Sequence, residues 1–129
     1  MTVTYSISAN NYRLQGVVDA IDGGGGNGSL ILTAAGATVS TISLARPCGT
    51  VNGGILTFSG TLLDPAASGT GNVDGAVVKD STGITMISGL TVGIPLTVGV
   101  DIIISNGANS TLVTAGQTVA VLAAQITGT

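Results

Sequence analysis

The stretch SANNYRLQGVVDAID, residues 8–22, decides how the chain is read, because it alone carries a clear helical period. Leu14, Val17, Val18 and Ile21 fall at i, i+3, i+4 and i+7, which makes one apolar stripe on an α-helix. The spacing predicts a helix over about residues 9–22, capped by a side-chain oxygen of Ser8, Asn10 or Asn11. Gly23 ends it, and a glycine-rich run follows. Asp19 and Asp22 fall in the last turns, where a carboxylate is slightly unfavourable with the helix dipole. Asp22 is therefore read as a loop residue or as the partner of a cation.

The rest of the chain alternates in strand-like fashion between turn residues. Thr2 to Ser8 reads as a half-buried strand, with Val3, Tyr5 and Ile7 on one face. Leu30 to Leu32 is a short apolar run suited to a buried strand. Val39 to Leu44 is another, broken by Pro47. Asn52-Gly53-Gly54 is a turn, and Ile55 to Ser59 places Leu56 and Phe58 on one face, with Phe58 in the core. Val73 to Lys79 and Ile84 to Ser88 form a hairpin around Asp80-Ser81-Thr82-Gly83. Val100 to Ile104 is strongly β-branched. Thr118 to Ile126 is a last strand, with Val119, Val121 and Ala123 on one face. Such short strands at regular intervals predict a mainly β fold: an antiparallel β-sandwich, jelly-roll-like, with one short N-terminal α-helix. At 129 residues, a single domain spanning 1–129 is expected.

Composition narrows the function classes. Only 7% of residues are charged, 2% are aromatic, histidine is absent and glycine numbers 21. Mean hydropathy is +0.64. A free monomer with so few charges is poorly protected against association, so much of the surface is expected to be covered by other protein. The net charge of −3 and the three basic residues Arg13, Arg46 and Lys79 provide no patch for phosphates, so no nucleic-acid partner is expected. Cys48 stands alone, which excludes a disulfide within the chain, and it reads as a small residue in a semi-buried turn. Met1 to Ser8 lacks the charged and apolar regions of a leader, and no apolar run reaches about 18–20 residues, so no membrane span is expected.

Catalytic chemistry lacks its usual parts. No histidine can activate a serine or Cys48. The acidic residues Asp19, Asp22, Asp64, Asp74, Asp80 and Asp101 lie mostly at turns or element ends, where Asp serves the backbone. The run Gly23 to Gly28 follows a helix where a phosphate-binding loop would precede one, and it lacks the Gly-Lys-Ser/Thr signature. No catalytic residue, cofactor or metal is therefore expected. Leu62 to Asn72 is the longest irregular piece and reads as a contact-making surface loop. The expected partner-contact residues are Asp64, Pro65, Ala66 and Ser68 in that loop, with Gly24 and Asn27 in the glycine run. The N-terminal strand is a further candidate.

In order, the chain presents Asn11-Tyr12-Arg13-Leu14, a helix ending Val17-Val18-Asp19-Ala20-Ile21-Asp22, a glycine loop and Ser29-Leu30-Ile31-Leu32. Later come Val77-Val78-Lys79-Asp80-Ser81-Thr82-Gly83, Asp101-Ile102-Ile103-Ile104 and Thr114-Ala115-Gly116-Gln117-Thr118-Val119. This arrangement resembles small β-rich structural proteins of tailed bacteriophages. The resemblance implies a virion component, made in the host cytoplasm and bound to the outer capsid surface as a decoration or cement protein. It implies the major capsid protein as partner and a homo-oligomer, a trimer before a dimer. The alternative is a neck, tail or head-fibre component of the same virion, in contact with the host surface. A small hydrolase or metal-binding enzyme is the reading from another class.

Overall fold

The structure is a computed structural model that describes residues 5–23, 25–95, 99–105 and 110–127. The helix, α1, spans Ile7–Asp22 and so begins earlier than its apolar stripe suggests. Its cap is Ser6, whose backbone is extended and whose hydroxyl accepts the Ala9 N–H at 3.1 Å. That cap corrects the part of the expected strand over residues 2–8 that the structure describes, residues 5–8. Ile7 and Ser8 lie in the first helical turn, Tyr5 and Ile7 are exposed, and Met1 to Thr4 lie outside the described residues. A capping hydroxyl satisfies an orphan N–H of the first turn, which a three-residue alternation cannot offset. Asn10 and Asn11 are released for other work.

The stripe faces the chain's own core. Asn10, Leu14, Val18 and Ile21 are buried, and Val17 packs against the same cluster half-buried. Burying such side chains stabilises by about 1.5–3 kcal/mol each, more than the helix's own propensity supplies.

The strands follow in order: β1 (Ser29–Ala34), β2 (Ala37–Ser43), β3 (Gly49–Asn52), β4 (Ile55–Phe58), β5 (Leu62–Asp64) and β6 (Gly71–Asn72). After them come β7 (Gly75–Lys79), β8 (Thr85–Leu90), β9 (Val92–Gly93), β10 (Ile102–Ser105), β11 (Leu112–Val113) and β12 (Val119–Thr127). One sheet has the order β2-β1-β7-β8, antiparallel throughout. The second runs β3-β4-β12-β10-β9, with β5 also pairing β12 and β9 parallel to β10. β6 and β11 form a small third pair. Leu30, Leu32, Ile42 and Val78 of the first sheet meet Leu56, Phe58, Ile102 and Ile104 of the second, together with α1, in one hydrophobic cluster. The fold is a mainly β sandwich with one N-terminal helix, as the sequence pattern predicts.

Two bulges set which residues face the core. Between β10 and β12 the pairing steps from Ile103↔Ala123 to Ile104↔Val121, so Leu122 is the extra residue. Such a residue reverses the in–out phase of its strand. Val119 is buried before the bulge and Ala124 after it, while Leu122 and Ala123 are exposed. The expected face Val119, Val121 and Ala123 is corrected accordingly. In β2 the pairing with β1 skips Val39, so Val39 and Ser40 are both buried.

Candidate interaction surface

The segment from Leu62 to Asn72, expected as an irregular loop, is tied down along its length. Its ends are β5 and β6, and Leu62, Asp64 and Ala67 are buried. The carboxylate of Asp64 turns inward. Its Oδ2 accepts the Ser40 hydroxyl at 2.6 Å and the Thr41 N–H at 3.3 Å, and its Oδ1 accepts the Ala66 N–H at 3.1 Å. The bulged Val39 offers its carbonyl to the N–H groups of Ser68 and Gly69, both at 3.0 Å. On the other side the turn before β12 closes in. Ala67 donates to the Gln117 carbonyl, Gly116 donates to the Ala67 carbonyl, and the Thr118 hydroxyl donates to the Pro65 carbonyl. The tip is held between a bulge and a turn, and Pro65, Ala66 and Ser68 are left exposed.

The expected contact residues therefore divide. Pro65, Ala66 and Ser68 lie together on one exposed, uncharged tip. Asp64, expected as a contact, is buried and faces inward, and a carboxylate that accepts three internal hydrogen bonds has little left for a partner. Asn27 is exposed on the glycine run, away in sequence, and Gly24 lies outside the described residues. That run ends tightly. A Cβ on Gly28 would lie 2.6 Å from Ile21 Cγ2 and 2.8 Å from the Lys79 carbonyl oxygen, so glycine there serves close packing.

The other carboxylates are structural acceptors as well. Asp74 accepts the Ala35 N–H, which helps hold Ala35 at φ 51° in the two-residue β1–β2 turn. Asp101 accepts both the N–H and the hydroxyl of Thr91, bracing β9 against β10. Asp80 accepts the Thr82 hydroxyl at 2.7 Å and the N–H groups of Thr82 and Ile84, both at 2.9 Å. The Thr82 hydroxyl is the largest cause holding the Asp80 carboxyl below its ordinary value, with backbone N–H donors adding to it. Asp22 accepts the Cys48 N–H at 3.2 Å, while its backbone carbonyl accepts from Arg46 of the same chain at 2.9 Å. The fully buried Cys48 thiol is pushed up to about 12, first by burial and then by the Asp22 charge beside it. A thiol so raised stays protonated and is a poor nucleophile. Among the described residues no three acidic, histidine or cysteine side chains gather as metal ligands. No helix of the described chain is long and apolar enough to cross a membrane.

The described surface also carries several large apolar side chains. Tyr5, Ile7, Tyr12, Leu63, Ile84, Leu112 and Leu122 are exposed, from 43% for Leu63 to 83% for Tyr12. Leu63 sits on β5 opposite Ala120 of β12, two residues before the exposed bulge residue Leu122. The Arg13 guanidinium lies 4.1 Å from the centre of the Tyr5 ring and donates to Asn10 Oδ1 at 2.9 Å. Tyr12 is two positions from Leu14, about 200° around the helix, and points away from the core stripe. That offset was a signal in the sequence; the exposure of Leu122 was not, since it depends on the bulge.

Beside Tyr12 runs an open groove of about 350 Å³ between the flank of α1 and β3, lined by Ser8, Asn11, Tyr12, Gln15 and Val51. Asn11 ties the two walls together, its Oδ1 accepting the Gly54 N–H of the β3–β4 turn at 2.7 Å. No known protein family, no curated protein and no solved structure matches this chain.

Proposed function

We propose that this chain is a non-enzymatic assembly subunit that binds the outside of a tailed-phage capsid and stabilises the expanded shell. The observation that carries the reading is the pinned, uncharged tip of Pro65, Ala66 and Ser68, with Leu63 exposed next to it. A segment ordered before binding loses little conformational entropy on docking, so a modest contact area yields useful affinity. Isolated exposed leucines are ordinary; here they accompany a surface with very few charges, which favours burial against other protein. The partner on this reading is the major capsid protein, and the subunit acts as a homo-oligomer, a trimer before a dimer. Such a subunit favours whichever lattice offers its contact points at the right spacing, and several weak contacts add through multivalency.

The test is particle stability. Purified particles with and without the protein are heated, and DNA release is followed by a dye. Release from particles lacking the protein is expected at lower temperature. Equal release temperatures would overturn the cement role. A copy number of hundreds per particle is expected, against about six or twelve for a neck or tail part. Leu63→Asp is expected to reduce particle binding while the free protein keeps its melting temperature.

A further inference from the structure

We propose that the groove between α1 and β3 binds a neutral saccharide, with Tyr12 as the stacking platform and Asn11 and Gln15 as the hydroxyl-reading pair. This goes beyond the assembly reading and does not depend on it.

The groove walls are chemically uniform. Ser8, Asn11, Tyr12 and Gln15 contribute two hydroxyls and two carboxamides, Val51 contributes the apolar wall, and none of the five is charged. Ser8, Asn11, Tyr12 and Gln15 fall at i, i+3, i+4 and i+7, so they stand in one row along the helix. The buried stripe of Leu14, Val18 and Ile21 occupies a different side, and the row is not needed for the core.

The amides are oriented by contacts outside the groove. Asn11 Oδ1 is taken by the Gly54 N–H, which leaves its amide nitrogen as a donor. Gln15 Nε2 donates to Asp19 Oδ1 at 3.2 Å, which leaves its carbonyl oxygen as an acceptor. The Asn11 donor is thus set by a 2.7 Å bond, and the exposed Gln15 acceptor stands one helical turn away. Sugar hydroxyls both donate and accept, so a pyranose face bearing two hydroxyls satisfies this pair without rearrangement. The Ser8 and Tyr12 hydroxyls rotate freely and add adaptable partners.

The Tyr12 ring is 83% exposed, and among the described residues no cation lies over its face, unlike Tyr5, which Arg13 covers. An exposed ring with an apolar body and a polar tip suits a ligand that is apolar on one face and polar at its rim. A sugar has that shape. An anion does not fit: among the described residues no cation lines the groove, and Asp19 stands at its Gln15 end. A purely apolar ligand would cover the Ser8 and Tyr12 hydroxyls, the Asn11 amide nitrogen and the Gln15 carbonyl oxygen without replacing their water. The volume of about 350 Å³ lies at the small end of ligand sites, which suits a short oligosaccharide.

The test is a titration of the isotope-labelled protein by nuclear magnetic resonance. The probes are maltotetraose, mannotriose and N-acetylchitotriose, with sialyllactose as the anionic counterpart. Saturable shifts are expected at Ser8, Asn11, Tyr12, Gln15 and Val51 with at least one neutral probe, and weaker shifts with sialyllactose. Tyr12→Ala is expected to weaken binding by about tenfold or more with an unchanged melting temperature, while Tyr12→Phe keeps most of the affinity. No saturable shift with any neutral probe at tens of millimolar would overturn the proposal, as would wild-type binding by Tyr12→Ala. Concentration-dependent shifts at the same residues without sugar would also overturn it, because a second copy of the chain would then occupy the groove.

Discussion

Replacing Asp64 by alanine removes the side chain that pins the exposed tip, and the structure sets the scale of the loss. Three donors lose their acceptor: the Ser40 hydroxyl, the Thr41 N–H and the Ala66 N–H. Ser40 is fully buried, so its hydroxyl has no water to turn to. The two backbone groups are partly buried and recover part of the cost from solvent. Hydrogen bonds to a charged acceptor contribute about 1.5–3 kcal/mol each when buried, and less where water competes. A destabilisation of about 3 kcal/mol follows, which lowers the melting temperature of a chain this size by roughly 10 °C. Asp64→Asn keeps one acceptor oxygen and turns an NH2 toward a donor, so about half the loss is expected. Ser68→Ala is the control, since its hydroxyl makes only a long 3.4 Å contact to the Val39 carbonyl; it should change stability by less than about 0.5 kcal/mol. Thermal unfolding by circular dichroism reads the stability, and limited proteolysis between Leu62 and Asn72 reads the tip. A melting temperature for Asp64→Ala within about a degree of wild type, with an intact tip, would refute the assignment of Asp64 as the pin.

Other expectations follow from individual contacts. Asp80 has its carboxyl held below the ordinary value of 3.8, chiefly by the Thr82 hydroxyl. A group lowered on folding stabilises above its unfolded value, and that contribution is lost as pH falls through its folded value. The urea midpoint gap between wild type and Asp80→Asn should be widest near about pH 7 and shrink steadily below about pH 4; a gap that grows in acid contradicts this. Cys48, buried and raised to about 12, should resist a thiol-specific reagent at about pH 8 in the folded protein and react fully in denaturant. Rapid labelling of the native chain would show that the α1–β3 junction opens readily. Ala35 lies at φ 51° beside Gly36 at φ 85°. Ala35→Asn should stabilise by about 0.5–1 kcal/mol in a denaturant melt, because asparagine tolerates that region and suits a two-residue hairpin turn.

Much of the fold could be read from local pattern. The stripe of Leu14, Val17, Val18 and Ile21 marked the helix because a period of 3.6 is specified within a dozen residues. The hairpin around Asp80 and the glycine turn at Gly53-Gly54 were readable for the same reason: turn chemistry is local. The helix start was misplaced because Val3, Tyr5 and Ile7 alternate like a strand while Ser6 can cap. A single hydrogen bond to the Ala9 N–H separates the two readings. The face of β12 was misassigned because a bulge is a property of two paired strands, and Leu122 itself carries no mark of one. At the candidate surface, Pro65, Ala66 and Ser68 were legible as loop residues. Asp64 was not legible as buried, since its partners Ser40 and Thr41 lie more than twenty positions away.

By itself the sequence determined the class of the fold, the N-terminal helix with its apolar stripe, the lack of histidine chemistry and the low charge that favours association. These are properties of composition and of neighbours within one or two turns. Only the tertiary structure decided which carboxylates face inward, which strand residues bulge outward, and that the flank of α1 opposes β3 across a groove. Each of these depends on pairing between distant segments. The free energy of such pairing is set by register and packing in three dimensions, which no window along the chain contains.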